Sequence, residues 1–339
     1  MRKLIPVLQR VSCPIVIALS VAAAAAPVFA QTQQNPSTGS GQVYPTKPVR
    51  LVVPFSPGGT SDILARMITP KMSESWGQSV VIENRTGAGG TIGAGIVAKA
   101  TPDSHTLLLT SSAFAISAAL HANLPYDSLR DFAGITRVGF STTALVVSPN
   151  LGVRTVKDFI ALAHAKPGQI FFSSAGAGSG THMNGERFRL AAGIKVVHVG
   201  FKGASDALIE VLAERVHYCI AGLAGALPFI KDKRLLALAV GTPQRSPLLP
   251  DVPTIAETLP GYARDGSHSL LAPAGTPRPI LKQISKEIRR VLELPDIRER
   301  LQNFDFVSAP TTPEEHDQIL RADIATFSGV VRLAGLRPQ

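Results

Sequence analysis

The sequence predicts an α/β fold of two doubly wound sheets with a ligand cleft between them. Apolar runs of strand length alternate with helix-length segments through short loops, which is typical of parallel sheets covered by helices. The block at about 145–260 repeats this alternation and indicates one α/β unit inserted into another. The chain would then cross between two lobes twice.

The elements are predicted from hydrophobic periodicity and from glycine and proline positions. Strands are predicted at 49–53, 79–83, 107–111, 145–148, 170–173, 196–200, 216–220, 235–240 and 270–272. Helices are predicted at 61–74, 92–100, 156–165, 204–213, 280–292, 296–303 and 313–327, with a further helix that ends at 190.

The N-terminus is predicted to be an export signal. Residues 1–30 have a basic start, an apolar run shorter than the ~20 residues that span a membrane, and the small-residue end Val28-Phe29-Ala30. We expect cleavage after about Ala30, followed by a flexible Gln/Ser/Thr/Gly-rich leader at 31–44. The lobes are then predicted to comprise 45–144 with 261–339, and 145–260.

The composition is that of a globular protein with one large or two medium domains: 45% of the 339 residues are hydrophobic and 17% are charged. Without residues 1–30 the chain keeps 31 basic and 24 acidic residues, a net charge of +7. No dense Lys/Arg run with interleaved aromatic residues occurs, so we expect no nucleic-acid partner. Cys219 is the one cysteine outside residues 1–30, which excludes an internal disulfide and a cysteine-rich metal site.

Sequence motifs of nucleotide-binding and catalytic sites are absent. The glycine runs at 87–93 and 176–181 do not fit G-x-G-x-x-G, and no glycine loop is followed by Lys-Ser/Thr. Neither G-x-S-x-G nor a zinc-type histidine spacing occurs. The sequence therefore predicts no catalytic residue, no metal and no cofactor. A catalytic triad whose residues are far apart in the sequence would not form a recognisable motif, so an enzyme stays an alternative.

Glycine turns at 56–62, 87–93 and 176–182 each join a strand to a helix. Such a junction collects unpaired backbone N–H groups at the positive end of the helix dipole, which suits a carboxylate or a phosphate. One such turn alone is often only a tight turn, but three favour an anion site where strand and helix ends meet. The missing Lys-Ser/Thr and the export signal favour a carboxylate.

Five segments resemble signatures of the Bug-type solute receptors, the extracytoplasmic substrate-binding proteins associated with tripartite tricarboxylate transporters. These segments are Pro54–Arg66 (PFSPGGTSDILAR), Glu83–Gly90 (ENRTGAGG), Ser174–His182 (SAGAGSGTH), Leu249–Thr254 (LPDVPT) and Leu271–Pro277 (LAPAGTP). The resemblance covers essentially the whole mature chain, with these segments in the family's order.

The resemblance implies a two-lobed periplasmic-binding-protein fold (type II-like) that closes on a small organic carboxylate. It also implies that the first and third glycine loops face each other across the cleft. By position, the ligand-binding residues would be Phe55, Ser56, Gly58, Gly59, Thr60 and Asp62 on one side and Ala175, Gly176, Gly178, Ser179 and Thr181 on the other.

Several of these residues have a structural interpretation as well. Asp62 either contacts a ligand hydroxyl, ammonium or ordered water, or serves the helix dipole. Ser179 and Thr181 either cap a helix or donate to a carboxylate. Phe55 is an apolar wall of the site or a core residue. Lys202, on a fourth strand-helix turn, is the candidate cation near the cleft or a solvated loop lysine.

Two segments depart from the family pattern. Members commonly carry Trp where this chain has Gly266-Ser267-His268-Ser269, and His217 and Ala221 replace acidic residues in the strand after the central helix. Ligand identity is therefore not carried over from any relative.

The sequence predicts a periplasmic solute-binding receptor, a monomer and not an enzyme, that captures a small organic carboxylate by lobe closure. Its partners would be membrane transporter subunits. The alternatives are a ligand-presenting sensor subunit and, with less support, an exported enzyme acting on a small carboxylate.

Overall fold

The computed structural model describes residues 44–262 and 266–333, so the predicted signal peptide and nearly all of the predicted leader lie outside the described residues. Within these ranges the strands are β1 (Val49–Val53), β2 (Val80–Asn84), β3 (Thr106–Ser111), β4 (Phe132–Ser141), β5 (Thr143–Val147), β6 (Ile170–Ser174), β7 (Val196–Gly200), β8 (Tyr218–Gly222), β9 (Leu236–Val240), β10 (Gly266–Pro273) and β11 (Phe306–Ser308). The helices are α1 (Thr60–Trp76), α2 (Thr91–Ala98), α3 (Ala113–Leu120), α4 (Val156–Ala165), α5 (Gly180–Ala192), α6 (Ala204–Leu212), α7 (Leu223–Lys231), α8 (Arg278–Glu293), α9 (Pro295–Gln302) and α10 (Pro313–Leu333). Short 3₁₀ turns lie at Ala88–Gly90, Pro149–Leu151 and Ile255–Glu257.

The described strands form two sheets, which confirms the predicted two-lobed α/β architecture. The sheet of the first lobe has the order β11-β4-β10-β3-β1-β2, and that of the second lobe has the order β7-β6-β8-β5-β9. Both sheets are mixed rather than purely parallel. Strand β10 runs antiparallel between β3 and β4, and β5 runs antiparallel between β8 and β9.

Besides helix α3 and the short 3₁₀ turns, three elements were not predicted from the sequence. Strand β4 has glycine and polar residues among its apolar ones (FAGITRVGFS), which hides the alternation. Helix α7 contains Gly225 and Pro228, two residues that disfavour helices. Strand β11 has three residues, too few for a pattern.

Each sheet has its own apolar core. In the first lobe, Leu64, Ile68 and Met72 of α1 pack on β1 and α8. In the second lobe, aromatic rings fill the space between α4, α5 and the sheet: the Phe159 and Tyr218 ring centroids lie 4.8 Å apart at a steep angle. Edge-to-face pairs of this kind are favourable beyond the apolar area that they bury.

The chain crosses between the lobes at two places close together. Strand β4 continues into β5 through Thr142, whose carbonyl accepts a hydrogen bond from the Leu223 backbone N–H at 2.7 Å. The return segment leaves β9 after Val240 and reaches β10 at Gly266. Within the described residues, no helix is both long and apolar enough to cross a membrane.

The two lobes touch across the cleft. The Ser56 hydroxyl donates to Asp206 Oδ2 at 2.6 Å, and the Ser205 hydroxyl donates to the Pro57 carbonyl at 2.7 Å. Glycines allow this approach, because a β-carbon at Gly203 would collide with Ser56 and one at Gly222 would overlap Thr60 Oγ1. This arrangement is the closed conformation of a two-lobed protein.

Replacing the buried Phe159 with Ala should lower the free energy of unfolding by about 3–5 kcal/mol, because the aromatic cluster of the second lobe would contain a cavity. Ile209→Ala, at a side chain that is 50% exposed, is the control and should change it by less than about 0.5 kcal/mol. Urea unfolding measures both. Equal effects of the two substitutions would contradict this assignment of the core.

Gly222→Ala should hold the lobes apart, because the added methyl group overlaps Thr60 only when the lobes are closed. Gly222 has φ −60° and ψ 131°, so alanine adds no backbone strain there. Small-angle X-ray scattering should therefore report a larger radius of gyration at unchanged thermal stability. Gly329→Ala is the control, since nothing lies within 4 Å of the added carbon. An unchanged radius for Gly222→Ala would count against the closed conformation.

Candidate functional site

A cavity of about 80 Å³ lies between the lobes. Its lining residues come from both sheets and from the loops that follow them: Phe55, Gly59, Thr60, Ser61, Ser111, Ser112, Ser141, Thr143, Ala175, Ser179, Gly180, Thr181, Asn184, Ala204, Gly222, Gly266 and His268. Both crossings contribute lining residues, Ser141 and Thr143 at the first and Gly266 and His268 at the second, so the cavity lies where the two lobes join.

Five helices of the described chain begin at this cavity. The starts of α1 and α3 come from the first lobe, and those of α5, α6 and α7 from the second. Each start carries backbone N–H groups without an intrahelical partner and the positive end of a helix dipole, about half an elementary charge. The cavity is therefore electropositive.

Glycine precedes three of these helices. Gly59, Gly203 and Gly222 are the N-cap residues of α1, α6 and α7, and none of these helices has a side-chain cap. Their first N–H groups are thus not used by a capping hydroxyl or carboxylate, and of these groups the Leu223 N–H of α7 donates to the Thr142 carbonyl. A bound anion satisfies such donors without any arginine or lysine.

The polar side chains among the described lining residues are uncharged. Among the described lining residues, none is Asp, Glu, Lys or Arg, and the hydroxyl groups are those of Thr60, Ser61, Ser111, Ser112, Ser141, Thr143, Ser179 and Thr181. Phe55, which packs against Ala113 and Ala175, forms an apolar wall. This surface offers many hydrogen bonds to oxygen atoms and no counter-charge for a cation.

Half of the twelve predicted binding residues line the cavity: Phe55, Gly59, Thr60, Ala175, Ser179 and Thr181. The other six lie outside its lining: Ser56, Gly58, Asp62, Gly176, Gly178 and Lys202.

Asp62 is buried in the first turn of α1, but its carboxylate is engaged away from the cavity. It accepts hydrogen bonds from the Gly58 N–H at 2.9 Å, from Asn84 Nδ2 at 3.0 Å and from Arg66 Nε at 2.8 Å. Burial raises the pKa of this carboxyl, but these hydrogen bonds outweigh burial and hold its pKa below the ordinary value. Asp62 thereby fixes the shape of the first glycine loop.

Ser56, Gly58 and Lys202 lie outside the cavity lining, and the first two contact the other lobe. Ser56 is bonded to Asp206, and Gly58, at φ +80°, is exposed and faces Ser205. Lys202 is exposed to solvent, one residue before Gly203. These three therefore surround the cavity rather than line it.

The third glycine loop is shaped by its own hydroxyl groups. Ser179 caps α5 by accepting from the His182 N–H at 3.2 Å, and Thr181 Oγ1 accepts from the Ala175 N–H at 2.8 Å. Gly176 and Gly178 have φ values of +99° and +77°, which favour glycine. Both glycines face the first lobe, Gly176 beside Gly89 and Gly178 beside Ser117.

The second glycine turn supports the other two. Gly93 packs against Pro54, Gly90 against Phe55, and Gly89 so closely on the Ala177 carbonyl that a side chain would overlap it. None of the residues at 87–93 lines the cavity. The anion site that this turn suggested in the sequence is therefore not part of the cavity.

His182 lies behind the third loop, and its ring centroid is 4.1 Å from that of His198. Burial lowers the pKa of both to about 4, so both rings are neutral at neutral pH. His198 Nε2 lies 2.6 Å from the Ser174 hydroxyl. These rings form the polar support of the loop.

His268 is the main lining residue that the sequence did not nominate as a binding residue, although it lies in a segment that departs from the family pattern. Its Nδ1 is 3.2 Å from Ser61 Oγ and its Nε2 is 3.1 Å from Ser141 Oγ. Burial lowers its pKa to about 4. His217, from the other departing segment, instead accepts from the Phe171 N–H at 3.0 Å, outside the lining.

Other missed lining residues include Ser111, Ser112, Ser141, Thr143 and Gly222, which stand at the ends of strands or starts of helices. The general rule that ligands collect at such ends was the available signal. Without the strand order, it does not say which ends meet. No group of three or more His, Cys, Asp or Glu that would suit a metal occurs in the described part of the chain.

Comparison with known proteins gives a consistent result. Residues 64–336 match the tripartite tricarboxylate transporter family receptor, TctC. The chain is 32% identical to protein BugT of Bordetella pertussis over 333 residues, which is 97% of this chain and 99% of BugT.

Solved structures with the same fold agree. The periplasmic binding protein BugD superposes with a TM-score of 0.84 at 28% identity, over 87% of this chain and 100% of that one. An R. palustris protein with adipate superposes with a TM-score of 0.84 at 32% identity, over 87% of this chain and 100% of that one. MatC from Rhodopseudomonas palustris, with bound malate, superposes with a TM-score of 0.80 at 29% identity, over 85% of this chain and 100% of MatC. The chain belongs to the TctC (Bug-type) family of periplasmic solute-binding receptors.

Proposed function

We propose that this protein captures a small organic carboxylate in the cavity between its lobes and is a receptor rather than an enzyme. The observation that carries the proposal is the convergence of five helix N-termini, from both lobes, on a cavity without a charged side chain among its described lining residues. A carboxylate supplies the missing negative charge and accepts hydrogen bonds from the N–H groups at these helix starts.

The positions of the helix starts connect binding with closure. Helices α1 and α3 belong to the first lobe, whereas α5, α6 and α7 belong to the second. An anion between them is attracted by both lobes only when they are closed. Ligand binding therefore shifts the population toward the closed conformation.

The relatives support the same ligand class. Two relatives with the same fold were solved with adipate and with malate, and both molecules are small carboxylates. In this chain, Asn184 and eight hydroxyl groups among the described lining residues would bind the remaining oxygen atoms.

We further propose that the chain is exported to the periplasm and that membrane transporter subunits recognise its closed form. The basic and apolar N-terminal sequence and the family support this proposal. A pull-down from membranes, with and without ligand, tests the partner: recovery of a signalling receptor in place of transporter subunits would make the protein a sensor subunit. Unchanged ligand after long incubation with pure protein supports binding without turnover.

Thermal melts against paired ligands test the ligand class. At about 100 times its Kd, a bound carboxylate should stabilise the protein by ~2.7 kcal/mol. The corresponding amides, which keep the shape and lose the charge, should produce almost no shift. Stabilisation by an amide or a cation but by no carboxylate would overturn the proposal.

Ala204 permits a test of the charge alone. Ala204→Asp and Ala204→Asn add side chains of nearly equal size at the start of α6, facing the cavity. Two like charges ~4 Å apart at an effective dielectric constant of ~20 repel by about 4 kcal/mol, so Ala204→Asp should weaken carboxylate binding by at least about a hundredfold relative to Ala204→Asn. Calorimetric titration measures the ratio. Equal affinities in the two variants would show that no anion lies near this helix start.

Binding should be independent of pH between about 8 and 5.5, because burial lowers the pKa of His268 to about 4 and no charged side chain lines the described part of the cavity. Affinity should fall below about pH 4.5, where the carboxyl group of the ligand becomes protonated. Titrations across this range measure the effect. Affinity that rises as the pH falls from 8 to 5.5 would instead indicate a histidine that gains charge at the site.

A further inference from the structure

His268 is held in the cavity wall by two serines from different parts of the first lobe. Ser61 lies in the first turn of α1, and Ser141 is the last residue of β4, directly before the crossing to the second lobe. Both ring nitrogens lie within hydrogen-bond distance of a serine oxygen, at 3.2 and 3.1 Å. The three side chains also line the cavity.

We propose that His268 is the positioning residue of a hydroxyl-recognition unit, His268–Ser61–Ser141, which makes this receptor prefer hydroxylated carboxylates over their unsubstituted and amino counterparts. The proposal rests on the proposed function, since the carboxylate itself is held by the helix starts. The unit adds a preference for one substituent of that ligand.

The hydrogen-bond roles of the unit are linked. A neutral imidazole donates from one nitrogen and accepts at the other, and burial keeps the ring neutral at neutral pH. If Nε2 carries the proton, the ring donates a hydrogen bond to Ser141 Oγ, and the Ser141 hydroxyl donates one to the Gly266 carbonyl, 3.3 Å away. Ser61 then donates to Nδ1 and presents lone pairs to the cavity.

The other tautomer reverses these roles. With the proton on Nδ1, Ser61 accepts from the ring and its own hydroxyl proton is free for the ligand, while Ser141 donates to Nε2. The unit can therefore accept from a ligand group or donate to it. A ligand hydroxyl, which has one proton and two lone pairs, matches both arrangements.

The surroundings of the unit disfavour the two other substituents. An ammonium group needs a negative partner, and the described lining residues contain no Asp or Glu. Asp62, next to Ser61 in the chain, is bonded to Arg66, Asn84 and the Gly58 N–H and is turned to the first loop. A hydrogen atom in place of the ligand hydroxyl leaves the hydrogen-bonding capacity of Ser61 beyond its bond to His268 unused, which costs binding energy.

A packing role alone would not require these bonds. His316 is also buried in the first lobe, and neither of its ring nitrogens has a hydrogen-bond partner. It lies outside the cavity lining. His316→Gln is therefore a matched control for His268→Gln, and Ser285→Ala, at a buried serine bonded to the Thr311 carbonyl, is a control for Ser61→Ala and Ser141→Ala.

The experiment compares ligands that differ in one substituent: succinate, malate and aspartate, and likewise propionate, lactate and alanine. Calorimetric titration of each with the unaltered protein should show the hydroxylated member of at least one series binding roughly tenfold or more tightly than the other two. The measured quantity is the ratio of affinities within a series, which a general loss of stability does not change.

In His268→Phe, Ser61→Ala and Ser141→Ala this ratio should fall to within about threefold of unity. His268→Gln, which keeps one donor and one acceptor, should retain part of it, and the two controls should retain all of it. If His268→Phe does not fold, the serine variants and His268→Gln decide the result.

Each other outcome has a definite meaning. Tight carboxylate binding without a preference for the hydroxyl overturns this inference and leaves the proposed function intact. A preference that persists in the serine variants and in His268→Phe overturns the role of the unit. A protein that binds no carboxylate of either series, but binds a neutral or cationic solute, overturns the proposed function and this inference with it.

Discussion

The site depends on backbone N–H groups at helix starts that no side chain caps. Helix starts from both lobes converge on the cavity, and glycine N-caps at Gly59, Gly203 and Gly222 leave three of them without a side-chain cap. Buried donors need an acceptor, and like-oriented dipoles need a negative charge. Under the proposed function, an anion in the cavity accepts hydrogen bonds from these donors and is attracted by both lobes. Binding and closure would then have the same physical cause.

The loops that carry these helix starts are kept in shape by groups outside the cavity. Asp62 bonds the first loop to Asn84 and Arg66, and Thr181 bonds the third loop to the Ala175 N–H. The second glycine turn fills the space behind both loops, where only glycine fits against the Ala177 carbonyl. Charged groups therefore shape the site from outside, while the described lining residues carry no charge. Under the proposed function, the ligand charge is recognised by helix dipoles that are fixed within each lobe.

Sequence patterns located the loops but did not give the direction of each side chain. Phe55, Thr60 and Ser179 line the cavity, as the family resemblance implies. Ser56, next to Phe55, and Asp62, next to the lining residue Ser61, turn to other partners. In the first turn of a helix, neighbouring residues point about 100° apart, so a motif of consecutive residues covers both sides of its helix. Strand β4 and helix α7 escaped prediction because glycine and proline interrupt their patterns. Strand β4 contributes the lining residue Ser141, and helix α7 begins directly after the lining residue Gly222.

The sequence by itself determined the alternation of strands and helices, the glycine turns at helix starts and the membership of a receptor family. The alternation and the glycine turns are local features, each set by residues close together in the sequence. The family signatures are likewise short runs of consecutive residues. Only the tertiary structure decided which helix starts meet, that Lys202 is exposed, and that His268 lies between Ser61 and Ser141. Those facts depend on strand order and on lobe closure, which bring together residues more than a hundred positions apart. Hydrogen-bond distances at that separation are set by the packing of whole sheets, and no local pattern encodes them.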